Sequence, residues 1–171
     1  MAEAIASDVS TKHLSTYLND HLAGAVAALE LVEHLAKNYP DTTLETFFAD
    51  LHADISADQD VLRDLLHTFE AKESTVRKAG AWLAEKVGRA KFGLNENDVS
   101  GTGLLEALEG LAMGITGKQL LWRALAAASE VLPQLRGLDY EQLEQRALEQ
   151  RGRVDQKQLA AAREAFKPAN D

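Results

Sequence analysis

Asn38-Tyr39-Pro40-Asp41-Thr42-Thr43-Leu44-Glu45 and, further along, Leu132-Pro133-Gln134-Leu135-Arg136-Gly137-Leu138-Asp139 decide how this chain is organised. Each is a short run of turn and capping chemistry between two long stretches of helix-forming residues. In the first, Pro40 disfavours helix at the residue before it, and Asp41, Thr42 or Thr43 can cap a new helix with Glu45 close to its start. In the second, Pro133 and Gly137 break the chain and Asp139 can cap a further helix. Short connections make antiparallel neighbours, so each turn predicts a pair of long helices lying side by side.

Working outward, the first helix is expected from a cap at Ser10 or Thr11 to about Asn38. Its apolar stripe is Leu14, Tyr17, Leu18, Ala25, Ala28, Leu29, Val32 and Leu35. The second carries Leu44, Phe47, Phe48, Leu51, Ile55, Leu62, Leu65 and Phe69 and ends near Ala71. A third long helix, from about Thr102 to Val131, shows Leu104, Leu108, Leu111, Ile115, Trp122, Leu125 and Ala126. The last, from Tyr140 to about Phe166, shows Leu143, Ala147, Val154, Ala161 and Ala165. These positions recur at the period of an α-helix. Between the pairs, Ser74 to about Lys91 reads as a shorter helix, followed by the turn-rich segment Leu94-Asn95-Glu96-Asn97-Asp98-Val99-Ser100-Gly101-Thr102-Gly103. The expected organisation is a flexible tail over 1–9, one helical domain over 10–167 and a short tail over 168–171.

The composition agrees. The chain has 171 residues, a hydrophobic fraction of 46 %, only three prolines and no cysteine. Disulfides and thiolate metal sites are therefore excluded. β-Branched and aromatic residues are sparse, which gives strands little support. A formal net charge of -9 argues against nucleic acid as a partner, since binding phosphate needs positive surface. The first residues, Met1 to Asp8, lack a basic start and an apolar run, so no signal peptide is expected. No window is apolar enough for a transmembrane segment. Together these point to the cytoplasm.

Two long-helix pairs joined by a helical crossover are the connectivity of the ferritin-like bundle. The stretches Tyr17-Leu18-Asn19-Asp20-His21-Leu22-Ala23-Gly24-Ala25-Val26-Ala27-Ala28-Leu29-Glu30 and Leu104-Leu105-Glu106-Ala107-Leu108-Glu109-Gly110-Leu111-Ala112-Met113-Gly114-Ile115-Thr116-Gly117-Lys118-Gln119 resemble the ferritin-like superfamily, in an uncharacterised bacterial branch. The resemblance covers most of 10–166 and lies in architecture and texture. It implies an all-α, ferritin-like four-helix bundle with a long crossover containing a short fifth helix. It also raises the question of a di-iron centre, for which such proteins supply one glutamate from each of two helices and Glu-x-x-His from each of the other two. No glutamate here is followed three residues later by histidine. The nearest imitation, Asp64-Leu65-Leu66-His67, points away from its own apolar stripe, as do Glu30 and His34. No ligand carries over.

In place of that pattern, polar residues interrupt the stripes near mid-helix: His21 in the first helix, Asp58 in the second, Lys118 and Gln119 in the third, and Gln150, Lys157 and Gln158 in the last. Buried polar groups are costly unless satisfied, so these residues are expected to partner one another, with Asp58 meeting Lys118 or His21 and the glutamines bridging. One reading is a structural layer that sets helix register. The other is a metal or acid–base site at His21 and Asp58, with Asp54, Glu33 and Glu109 as further carboxylates.

Two more features stand out. The segment 74–91 holds Arg77, Lys78, Lys86, Arg89 and Lys91 against Glu85 alone, beside the apolar edge Val76, Ala79, Leu83, Val87 and Ala90. A basic amphipathic helix can lie on an anionic membrane, or simply cover an acidic face such as that of the second helix. Gly110, Gly114 and Gly117 share one side of the third long helix, and interior glycines cost about 1 kcal/mol each relative to alanine. That suggests close approach of another backbone, either the segment around Ala79, Gly80 and Ala81 or a second copy in a symmetric homodimer. Motifs for nucleophilic catalysis, phosphate cradling or nucleotide binding are absent. The functional expectation is a bacterial, metal-free interaction or structural protein with no cofactor and an unidentified protein partner. The alternatives are an atypical protein that binds iron or another transition metal as a di-metal centre, and peripheral membrane association through residues 74–91.

Overall fold

The structure, a computed structural model, describes residues 2–70 and 101–168, with side chains from 11–69 and 102–168. The described residues are all-α: four α-helices, one short 3-10 turn and no strand. The helices are α1 (Ala2–Asn38), α2 (Thr43–Glu70), α3 (Gly101–Ser129) and α4 (Tyr140–Ala165). They fall into two compact units, one holding α1 and α2 and the other α3 and α4. The crossover helix expected over 74–91 lies outside the described residues, and with it Arg77, Lys78, Lys86, Arg89 and Lys91.

In the first unit α1 and α2 pack as a hairpin. Its turn is built as the sequence requires, and Thr42 is the cap. The Thr42 hydroxyl accepts from the backbone N–H of Leu44 at 3.2 Å and of Glu45 at 3.4 Å, and donates to the carbonyl of Tyr39 at 2.7 Å. Glu45 reaches back to accept from the backbone N–H of Asp41 at 2.7 Å. This is a variant of the capping box, and it satisfies donors that the start of α2 leaves open. Asp41 takes a left-handed φ of 58°, which its short polar side chain tolerates. The core holds Leu18, Val32 and Leu35 of α1 with Phe47, Phe48, Leu51, Ile55, Leu62, Leu65 and Phe69 of α2. Ala23, Leu31 and Leu66 widen the expected stripes. One boundary differs from expectation. The helix begins at Ala2 and runs through Ser10 and Thr11. Ala2, Glu3, Ala4 and Ala6 are good helix formers and no proline or glycine separates them from the stripe, so nothing local stops the helix at a cap.

In the second unit α3 and α4 pack as a hairpin around Leu108, Leu111, Ile115, Leu121, Trp122, Leu125, Leu143, Ala147 and Val154. The connection is tightly tied. Pro133–Leu135 form the 3-10 turn and place Leu135 at 0 % exposure. The buried Tyr140 hydroxyl donates to the carbonyl of Leu135 at 2.7 Å. Arg136 donates to the carbonyls of Ser129 and Glu130, both at 3.0 Å, capping the end of α3. Gly137 sits at φ +107°, a conformation side chains rarely adopt. Asp139 caps α4, accepting from the backbone N–H of Gln142 at 2.9 Å.

These ties make the connection sensitive. Asp139→Ala is expected to cost about 1 kcal/mol and Tyr140→Phe about 1 kcal/mol, each through one lost hydrogen bond. Gly137→Ala, which must strain its φ, is expected to cost at least as much. Urea unfolding of the three variants checks this; a neutral Gly137→Ala contradicts the described turn.

Candidate functional site

The candidate site is built from the polar residues that interrupt the stripes. In the first unit, His21 is half-buried on α1 and stands edge-on to the Tyr17 ring, with centroids 4.7 Å apart. Burial pushes its pKa below the usual histidine value, while the neighbouring Asp20 carboxylate opposes the shift. The imidazole is thus held toward its neutral form. On α2, Asp58 is 2 % exposed and the adjacent Gln59 is also buried. The Gln59 side-chain nitrogen finds no hydrogen-bond partner among the described residues.

In the second unit the polar residues meet in a seam between α3 and α4. The Lys118 ammonium donates to the side-chain oxygen of Gln150, a residue only 2 % exposed. Gln119 donates to Glu144 at 2.9 Å, and Arg123 lies 3.7 Å from the same carboxylate. Arg151 donates to the Thr116 hydroxyl and, at 3.2 Å, to the carbonyl of Ala112, and its Nε binds Asp155 at 2.6 Å. Nearer the open end, Gln158 donates to Glu109 at 3.4 Å. Each cross-helix pair lies at nearly equal distances along the chain from Pro133, as an antiparallel hairpin requires.

The residues singled out from sequence therefore divide. Lys118 and Gln150 are brought together inside one hairpin. Gln119 joins the seam through Glu144. Glu33, one of the additional carboxylates, is exposed and bonded to Lys37 at 2.8 Å, which lowers its pKa. Glu109 is taken by Gln158. Asp54 is half-buried on α2. Asp64 and His67 both face outward, as their phase implies. Among the described residues no group of three or more His, Asp or Glu side chains is placed to hold a metal ion. No described helix is long and apolar enough to cross a membrane.

Sequence reasoning missed Arg151, Thr116 and Glu144. The signal was available in the turn: counting outward from Pro133 sets Thr116 against Arg151. A Cβ placed on Gly114 or Gly117 meets no neighbouring atom within 4 Å among the described residues, and the segment around Ala79, Gly80 and Ala81 lies outside them.

No protein-family model, curated protein or solved structure matches the chain.

Two measurements test the site. Gln150→Leu removes one acceptor from a half-buried ammonium and is expected to cost about 1–3 kcal/mol, whereas Gln150→Leu combined with Lys118→Met should recover part of that loss. Chemical denaturation of both variants gives the comparison. His21 has a lowered folded pKa, so the unfolded chain binds its proton more readily. The stability it contributes is full above the unfolded value near 6.5 and falls as the pH drops below it. His21→Gln should flatten the decline in melting temperature between about pH 6.5 and 5; an unchanged slope would place the proton uptake elsewhere.

Proposed function

We propose that this chain is a metal-free, ferritin-like helical protein that acts through its surfaces as a structural or interaction protein in the bacterial cytoplasm, and that it works as a dimer. The observation that carries this is the seam between α3 and α4. In a four-helix di-metal protein the mid-helix polar positions face a shared cavity and offer carboxylates and imidazole to a cation. Here the Lys118 ammonium is bonded to the Gln150 amide and the Gln119 amide to the Glu144 carboxylate, both across the helix pair. A lysine ammonium carries donors only and repels a cation. Such a seam sets helix register, and it leaves the outer faces to do the work.

A second reading keeps one specific observation in its favour. His21 is held toward its neutral form, which is the form that ligates metals, and Asp58 is buried on the facing helix of the same hairpin. An atypical di-metal protein would use these two with Asp54 as a further carboxylate.

Metal uptake separates the readings. The untagged protein is incubated aerobically with Fe(II), Mn(II) or Zn(II), desalted, and assayed for metal per chain. Background metal is the expected result. One to two tightly held equivalents, lost in a His21→Ala, Asp58→Ala double variant, would overturn the proposal.

A further inference from the structure

We draw no further inference here: the strongest candidate, the exposed apolar surface patch of Met113 and Leu120 on the outer side of α3, carries nothing because no observation in the structure shows what covers it.

Discussion

An ammonium group placed between two helices must be given acceptors, and that requirement organises the second half of this molecule. Lys118 interrupts an otherwise apolar stripe, with Ile115 before it and Trp122 after it, and Gln150 answers it from α4. Leaving either group unpaired costs more than the hydrogen bond gains, so the pair acts chiefly by penalising other alignments. Sliding α4 by one turn would separate Lys118 from Gln150, Arg151 from Thr116 and Gln119 from Glu144 together. Apolar side chains alone tolerate such slips far better, because hydrophobic attraction is not directional.

The turn between the helices does complementary work. The buried Tyr140 hydroxyl on the Leu135 carbonyl, the Arg136 guanidinium on the end of α3 and the Asp139 cap on the start of α4 hold the two helix ends in one geometry. With the end held there, the seam sets alignment further along the pair. In the first unit the Thr42 cap and the Glu45 back-bond hold the turn in the same manner, and the core above it is almost entirely apolar until His21, Asp58 and Gln59.

Much of this was legible from the chain alone. Pro40, Pro133 and Gly137 marked the turns, Asp139 and the Asp41–Thr43 run marked the caps, and the stripes named most of the buried side chains. These are local signals, carried by residues within a few positions of one another. Partner choice was less legible. That Lys118 meets Gln150 follows from the antiparallel count outward from Pro133, which stripe periodicity alone does not supply. Arg151 and Thr116 lie at the flank of their stripes, where periodicity carries little information. The start of α1 was hidden for a different reason. Ser10 and Thr11 are good caps, yet a cap residue starts a helix only where the residues before it resist helix, and Ala2 to Ala6 do not.

Nuclear magnetic resonance with a paramagnetic ion tests the central claim, that the interior polar residues serve helix alignment and not metal. Side-chain signals of His21, Gln119 and Gln150 would be recorded before and after one equivalent of Mn(II). The account predicts that all three persist with unchanged width, because Gln119 and Gln150 are bonded within the seam and no ion settles there or beside His21. Selective broadening of the His21 ring, with the exposed His13 ring unaffected, would contradict it and place a cation inside the helices.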